Sequence, residues 1–266
     1  MTDPARPRLV ACDLDGTLIA RDNELSPRVA SAVAAVVDAG ITVIAVSGRP
    51  WQWVLELARE HRLVPYSVVS NGAALVEVGS GAVEHNGLAD GAVLGLMERI
   101  RVAVPGVSFA VDLVDQLAYE EGFHDPGYRG PEAPSDLVPL VEEGVVKLIA
   151  RREGLASEDL VRQLDDDVLH GVGVAHGGWG EWVEIVASGV SKASGLAVVA
   201  DRLGMAAADV LALGDEWNDV PMFDWAGTAV AMGNAPAHVQ AAAHRVAPSA
   251  DDDGAAVVLE GLLAGS

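Results

Sequence analysis

The sequence predicts an α/β protein whose core is a doubly wound parallel sheet, interrupted by an inserted α+β domain. At both ends of the chain, apolar runs of strand length alternate with helical segments, which is the pattern of a parallel sheet. The middle third has several strand-like segments with fewer helices between them. We therefore predict a core of residues 1–76 and 187–266 and an insert of residues 77–186.

The first half of the core is predicted to run strand, helix, strand, helix, strand. Ser26 and Pro27 have the residue types of an N-cap and a first helical position, and Gly40 ends the helix that they begin. Strands connected through helices in this order form a parallel sheet. The strands are predicted at residues 8–12, 41–46 and 67–70, and the helices at 27–39 and 51–61.

The insert has more strand-like segments and fewer helices than the core, and the alternation of strands and helices resumes after it. A loop rich in Gly and Pro spans residues 123–134. In the insert, helices are predicted at residues 88–104 and 157–169, and strands at 108–120, 145–150, 171–176 and 182–186. In the second half of the core, helices are predicted at 192–203 and 254–263, and strands at 210–213 and 229–232.

The formal net charge of −22 limits the partners that the protein can have. Nucleic acids and anionic membranes bind basic surfaces, so neither is an expected partner. No apolar run is long enough to span a bilayer, and the N-terminus lacks a signal-peptide pattern. Cys12 is the only cysteine, which excludes an intrachain disulfide and favours a reducing compartment. We therefore expect a cytoplasmic protein that acts on small molecules.

Polar side chains follow three of the predicted core strands. Asp13 and Asp15 come after the first strand, Ser47 after the second and Asn71 after the third. In open parallel sheets, ligands bind beyond the carboxyl ends of the strands. The sequence therefore predicts a polar site at this edge of the sheet.

The segment DLDGT, which begins at Asp13, is the strongest indication of chemistry. Side chains two positions apart leave a strand on the same side, so the carboxylates of Asp13 and Asp15 can face one ligand. One carboxylate can attack phosphorus while the other transfers protons. Gly16 allows a tight turn that brings the backbone close to an anion. The alternative interpretation is an Asp-rich turn without a function.

This segment resembles the D-x-D-G-T motif of the haloacid dehalogenase superfamily, whose core is a Rossmann-like sheet. The resemblance implies a phosphatase that forms an aspartyl-phosphate on Asp13, with Asp15 as general acid and then general base. It also implies three further motifs in a fixed order along the chain.

The second and third motifs are matched by short segments. Ser47, Gly48 and Arg49 resemble the S-G-R of the Cof-type branch, which implies that Ser47 donates to a phosphoryl oxygen and that the other two contact substrate. A surface salt bridge is the alternative role of Arg49. Lys192 lies in a run that resembles G-V-x-K-G-x-A-L, with Ala193 in place of the usual glycine. The resemblance implies that Lys192 neutralises charge on the phosphoryl group and on Asp13.

The fourth motif, G-D-x-x-N-D, is matched by the segment GDEWND. Converging carboxylates would repel one another unless a cation lay among them, and Mg²⁺ prefers oxygen ligands of this kind. The resemblance assigns Mg²⁺ to Asp13, the backbone carbonyl of Asp15, and Asp215. It places Asn218 near the substrate, and it implies that Asp219 orients the metal ligands without binding the ion itself.

Two further segments resemble the Cof-type branch. Asn71 lies in an S-N-G-A segment and is expected near the substrate phosphate. The segment AMGNA, at residues 231–235, is expected to stabilise the loop beside Asp215. The resemblance covers about residues 8–76 and 187–260.

The resemblance identifies the insert as a C2 cap, a lid that excludes water and selects the leaving group. Lys147, one of two lysines in the chain, lies in a predicted strand of this insert and is expected to be structural. Four polar residues in or near the loops of the insert could contact the leaving group: His124, Tyr128, Arg129 and His176. For each of them, the alternative is a solvated loop position without a role in binding.

The motifs together predict an Mg²⁺-dependent phosphatase of small phosphate monoesters. The branch accepts sugar phosphates, nucleotides and cofactor phosphates such as flavin mononucleotide and pyridoxal phosphate, so the substrate and the oligomeric state stay open. Three other functions share parts of this pattern: a phosphomutase of the same fold, a non-catalytic module that binds a phosphorylated ligand, and a signalling receiver domain. The Asp pair and the large insert disfavour the receiver, and the complete polar set disfavours the binding module.

Overall fold

The computed structural model of the chain describes residues 6–20, 24–123, 131, 133–175 and 180–264. The described chain forms two compact units. The first unit contains the chain up to Glu84 and again from Ser191, and the second unit is His85–Val190. The candidate leaving-group readers His124, Tyr128, Arg129 and His176 lie outside the described residues.

Strands and helices are numbered separately along the chain. The strands are β1 Leu9–Cys12, β2 Thr42–Ala45, β3 Tyr66–Val69, β4 Ala74–Glu77, β5 Val83–His85, β6 Ser108–Leu113, β7 Leu117–Tyr119, β8 Val145–Arg151, β9 Val172–Ala175, β10 Trp182–Ala187, β11 Val210–Gly214, β12 Thr228–Ala231 and β13 Arg245–Val246. The α-helices are α1 Pro27–Asp38, α2 Trp51–Glu60, α3 Val93–Ala103, α4 Ser157–Gln163, α5 Lys192–Arg202, α6 Val220–Trp225, α7 Ala237–Ala242 and α8 Gly254–Ala264.

The first unit is built on the predicted parallel sheet. Its five strands have the order β13-β12-β11-β1-β2, and Cys12 at the end of β1 pairs with Leu213 on one side and Ala45 on the other. A parallel bridge between Val46 and Val68 brings β3 alongside β2. The chain therefore moves outward from β1 in both directions, so β1 and β11 flank the switch point where α/β sheets bind ligands.

Apolar side chains pack one face of this sheet against helices. Leu9 and Ile44 pack with Leu196 of α5 and Phe223 of α6 in one buried cluster. Burying a side chain of this size contributes about 1.5–3 kcal/mol to stability. Apart from β13, the strands of this sheet are buried except at Thr42 and Thr228, the first residues of β2 and β12, so packing fixes the carboxyl ends of these strands.

The described residues of the second unit form an antiparallel sheet with two helices. Its strand order is β7-β6-β8-β10-β9, and Phe109, Leu148 and Ile185 pack with Ile100 of α3 and Leu160 of α4. This α+β architecture agrees with the class predicted for the insert.

Lys147 is buried within the second unit, where its ammonium donates to Glu184 Oε1 at 2.6 Å. Lys147 lies on β8 and Glu184 on the neighbouring strand β10. The ion pair satisfies a charge that burial would otherwise make costly. The prediction of a structural role for Lys147 agrees with this contact.

Several predicted elements have different bounds in the structure. Residues 108–120 were predicted as one strand, but they form the hairpin of β6 and β7, in which Leu113 N donates to Gln116 O. The turn residues Val114, Asp115 and Gln116 include no Gly or Pro, so the sequence carries no strong turn signal there. Helix α4 ends at Gln163, well before the predicted residue 169, because Asp165 caps the next turn by accepting from Val168 N.

The hairpin that β4 forms with β3, and the following strand β5, were also missed. Within the described part of the chain, helices are too short or too polar to cross a bilayer.

Candidate active site

Two carboxylates lie side by side because they follow neighbouring parallel strands. Asp13 comes directly after β1 and Asp215 directly after β11, and these strands are paired in parallel register. Both side chains are buried, with Asp13 at 4% and Asp215 at 3% exposure. The sheet thus brings together two groups that are two hundred residues apart in sequence.

A third carboxylate, that of Asp219, joins this pair. Asp219 ends a single helical turn, Trp217–Asp219, that follows Asp215. Oxygen atoms of Asp13, Asp215 and Asp219 all lie within 4.8 Å of one another. We call these three side chains the carboxylate cluster.

Lys192 is the cation of the cluster. Its Nζ donates to Asp13 Oδ1 and to Asp219 Oδ1, both at 2.6 Å. The side chain is 1% exposed and stands on the first residue of α5. Ser191 and Ser194 form a reciprocal capping box that fixes this helix start. The motif lysine therefore reaches the cluster, as the resemblance implied, although Ala193 departs from the motif.

Asp215 is held by two further side chains. Thr17 Oγ1 donates to Asp215 Oδ1 at 3.0 Å, and Asn234 Nδ2 donates to Asp215 Oδ2 at 2.9 Å. Asn234 also donates to the carbonyl of Gly16 at 2.9 Å. The expectation that the AMGNA segment stabilises the loop beside Asp215 is confirmed by these bonds. The role of Thr17 was missed, although its hydroxyl is the last letter of the first motif.

Gly16 passes close to the cluster and cannot carry a side chain. Its φ is +77°, and a Cβ placed on it would lie 2.1 Å from Asp215 Oδ2. The backbone after β1 can approach the Asp215 carboxylate only because this residue is glycine.

Burial and crowding raise the proton affinity of Asp13 and Asp215. Burial raises the pKa of Asp215 to about 7, and the Asp219 carboxylate adds to this effect while the Thr17 hydrogen bond opposes it. The pKa of Asp13 is also raised well above its usual value, chiefly by burial, and Lys192 only partly offsets this. Burial acts to lower the pKa of Lys192, but Asp13 and Asp219 outweigh it, so the ammonium stays charged.

The donor set fits a hard divalent cation. One ammonium does not balance three buried carboxylates, and the raised pKa of Asp215 shows that the protein alone does not favour their full ionisation. Carboxylate oxygens are the ligands of Mg²⁺, which binds one or two of them together with water and phosphate. Asp219 Oδ1 already accepts from Lys192, and Asp219 Oδ2 accepts from the backbone N–H groups of Asp215 and Glu216. Each oxygen of Asp215 accepts one side-chain hydrogen bond and keeps a second lone pair, whereas Asp219 Oδ2 accepts two backbone hydrogen bonds. The oxygens of Asp13 and Asp215 are therefore better suited to an ion than those of Asp219.

Asp15 stands apart from the cluster. Arg49 Nε donates to Asp15 Oδ2 at 2.7 Å, and the terminal Nη2 donates to Oδ1. The Asp15 side chain is 58% exposed, while that of Arg49 is 16% exposed. The Arg49 guanidinium, expected on a substrate phosphate, is thus engaged by the second aspartate of the first motif.

The remaining predicted residues are gathered by a left-handed turn at 70–72. Ser70 and Asn71 have φ of +49° and +58°. Asn71 N donates to Ser47 O, and Asn71 Oδ1 accepts from Asn218 Nδ2 at 2.9 Å. A Cβ on Gly48 would come within 3.2 Å of the Asn71 amide oxygen. Ser47, Gly48, Asn71 and Asn218 therefore lie together at the same edge of the sheet.

Comparison with known proteins places this arrangement in a family. The family model of haloacid dehalogenase-like hydrolases matches residues 10–259. The chain is 31% identical to a phosphoglycolate phosphatase of Natronomonas pharaonis, over 92% of this chain and 93% of that protein. It is 28% identical to a 5-amino-6-(5-phospho-D-ribitylamino)uracil phosphatase of Bacillus subtilis, over 96% and 97% of the two chains.

A solved haloacid dehalogenase-like hydrolase from Bacteroides thetaiotaomicron superposes with a TM-score of 0.79 at 26% identity, and the match covers 96% of this chain and 99% of that one. The match extends over both units. The chain therefore belongs to the haloacid dehalogenase-like hydrolases, as a phosphoric monoester hydrolase of the Cof type.

Proposed function

We propose that this chain is an Mg²⁺-dependent phosphatase that hydrolyses small phosphate monoesters through an aspartyl-phosphate on Asp13. The observation that carries the proposal is the contact of Lys192 with both Asp13 and Asp219, inside a buried carboxylate cluster at the switch point of the sheet. A buried ammonium beside a carboxylate can hold that carboxylate ionised and can balance the charge of an incoming phosphoryl group.

The first step transfers the phosphoryl group to the protein. A carboxylate oxygen of Asp13 attacks phosphorus, the bond from phosphorus to the leaving oxygen breaks, and Asp15 gives its proton to that oxygen. Ser47, which is fully buried at the end of β2, donates to a phosphoryl oxygen. Lys192 balances the charge that accumulates around Asp13 during this transfer.

The second step releases phosphate. Asp15, now a carboxylate, takes a proton from water as the water oxygen bonds to phosphorus, and the bond from phosphorus to Asp13 breaks. Asp13, Asp215 and the backbone carbonyl of Asp15 would hold Mg²⁺, which when bound supplies positive charge opposite the phosphoryl oxygens. Asp219, Thr17 and Asn234 keep the ligand carboxylates in place.

We further propose that the unit His85–Val190 acts as the cap that selects the leaving group. Relatives at about 30% identity act on substrates as unlike as phosphoglycolate and a ribitylaminouracil phosphate. The substrates to test are therefore a panel: phosphoglycolate, sugar phosphates, nucleotides, flavin mononucleotide and pyridoxal phosphate.

Replacing Asp13 tests the nucleophile. Asp13→Asn removes the attacking carboxylate, so we expect phosphate release from the best substrate of the panel to fall at least about 10³-fold. The folded protein should survive, because the change removes one of three crowded buried carboxylates. Asp38→Asn is the matched control, since Asp38 pairs with Arg62 on the surface, and its activity should equal that of the unchanged protein.

Acid-quenched enzyme should carry a phosphoryl group that hydroxylamine removes, and Asp13→Asn should carry none. Unchanged phosphate release by Asp13→Asn would remove Asp13 from the nucleophile role. Conversion of a sugar phosphate into its isomer without phosphate release would assign a phosphomutase instead.

A further inference from the structure

Arg49 holds Asp15 by both of its carboxylate oxygens. Nε donates to Oδ2 and Nη2 donates to Oδ1, so one edge of the guanidinium faces the whole carboxylate. This two-bond fork is the geometry in which arginine fixes the direction of a carboxylate as well as its charge. Lysine, with a single point of charge, cannot impose the same orientation.

The backbone of Arg49 is itself anchored on both sides. Its N–H donates to Ser47 Oγ at 3.1 Å, and its carbonyl accepts from Ser70 N at 2.9 Å. The side chain of Asp15 is more than half exposed and has no such enclosure. The anchored arginine therefore fixes the orientation of the exposed Asp15 side chain, and not the reverse.

We propose that Arg49 is a positioning residue, which orients Asp15 for its two proton transfers. The proposal rests on the proposed function, in which Asp15 is the general acid and base. It replaces the sequence-based expectation that Arg49 contacts the substrate phosphate, because the fork edge that would grip a phosphate is engaged by Asp15.

The protons that Asp15 gives and takes are consistent with a fork that closes during the first half-reaction and opens again during the second. During transfer to Asp13, one Asp15 oxygen carries the proton and the other keeps its bond to Arg49. When that proton passes to the leaving oxygen, Asp15 becomes a carboxylate and both bonds form, as in the structure. During hydrolysis, one oxygen accepts a proton from water and gives up its bond again. In the protonated form of Asp15, before the first step and after the second, one remaining bond to Arg49 holds the Asp15 side chain.

The leaving group provides the first test. An alkyl phosphate such as glycerol phosphate needs a proton on its departing oxygen, whereas p-nitrophenyl phosphate releases a stable phenolate. For Arg49→Gln we expect the first-turnover rate with glycerol phosphate to fall about 10–100-fold. With p-nitrophenyl phosphate the first turnover should change less than about threefold, and KM should change less than about twofold for either substrate. Arg49→Lys should recover only part of the loss.

A double-mutant cycle provides the second test. If Arg49 acts through Asp15, the Asp15→Asn and Arg49→Gln double variant should be no slower than Asp15→Asn alone. Arg28→Gln is the matched control, because Arg28 makes the same two-bond fork with Glu260 between exposed helix side chains. This control should keep the activity of the unchanged protein. Thermal unfolding of each variant confirms that it is folded.

Losses that multiply in the double variant would overturn the proposal. So would a rise in KM for both substrates with unchanged kcat, since that result would place Arg49 on the substrate phosphate. Both outcomes are distinct from failure of the proposed function, which would show as activity of Asp13→Asn.

Discussion

The two oxygens of Asp219 have different partners, and together they explain why an aspartate stands there. Oδ1 accepts from Lys192, while Oδ2 accepts from the backbone N–H groups of Asp215 and Glu216. An asparagine would turn a donor toward one of these donors. A full carboxylate is therefore needed both to hold the lysine and to shape the loop that carries Asp215.

Thr17 gives a prediction at the same scale. Thr17→Val keeps the shape of this 1% exposed side chain but removes the hydroxyl that donates to Asp215 Oδ1. Groups that orient metal ligands typically contribute 10–100-fold in metal affinity or activity, so we expect the Mg²⁺ concentration for half-maximal phosphatase activity to rise about 10-fold. A titration of phosphatase activity with Mg²⁺ measures this concentration.

Thr17→Ser keeps the hydroxyl and is the control, with an Mg²⁺ requirement close to that of the unchanged chain. An equal shift in both variants would mean that lost packing, and not the lost hydrogen bond, is responsible.

Individual residues differ in how far their roles could be predicted. Asp13 and Asp215 were predicted to converge because parallel strands place their carboxyl ends at one edge of the sheet, and the family resemblance implied that Lys192 joins them. The bond from Thr17 to Asp215 joins side chains 198 positions apart, and no local pattern shows it. For Arg49 the residue type indicated an anionic partner, but phosphate and carboxylate suit a guanidinium equally well, so the partner could not be predicted.

At the scale of an element, the turn at 70–72 links three loops of the site. It binds the backbone of Ser47 and Arg49, its Asn71 contacts Asn218, and Gly72 lies against Ser191 at the start of α5. A Cβ on Gly72 would lie 2.0 Å from the Ser191 carbonyl oxygen. We therefore expect a change in the conformation of this turn to displace both Ser47 and Lys192.

Gly72→Ala tests this link. The substitution combines a φ of +92° with a backbone clash, whereas Gly40→Ala has a φ of +83° and nothing within 4 Å of the new Cβ. We expect Gly40→Ala to lower the free energy of unfolding by about 1 kcal/mol, and Gly72→Ala to lower it by at least about 2 kcal/mol more. Urea unfolding measures both, and phosphate release should fall for Gly72→Ala alone. Equal stability losses would show that the clash is relieved without cost.

The elements of the core were more predictable than those of the insert. Continuous apolar strands followed by capped helices left few alternatives, and Ser26 does cap α1 by accepting from Val29 N. The hairpin of β6 and β7 was missed because its turn contains no Gly or Pro to mark it. Strand β4 was missed because the Asn-Gly pair after β3 was interpreted as a functional strand end, while it is also the turn into an antiparallel partner.

At the scale of the whole molecule, the excess of buried negative charge couples stability to pH and to metal. Without a cation, the pKa of Asp215 is about 7 in the folded chain and near 4 when unfolded. The folded state binds this proton more tightly, so its stabilising effect is complete below about pH 4 and is lost as the pH rises through about 7. Metal-free protein should therefore unfold at a lower temperature at pH 8 than at pH 5.

Calorimetry in EDTA and in excess Mg²⁺ at these two pH values checks this prediction. Mg²⁺ should raise Tm more at pH 8 than at pH 5, because the ion binds the ionised cluster. Asp215→Asn should reduce both the pH dependence and the response to Mg²⁺. If Mg²⁺ raised the Tm of Asp215→Asn as much as that of the unchanged chain, the cation site would lie elsewhere.

The shortness of β13 has a consequence for the behaviour of the chain at high concentration. This strand ends the core sheet with two exposed residues, Arg245 and Val246. A sheet margin of that length offers a neighbouring molecule few free N–H and C=O groups, and the guanidinium adds repulsion between like margins. This end of the sheet is therefore a poor template for edge-to-edge pairing with a second molecule, even at high protein concentration.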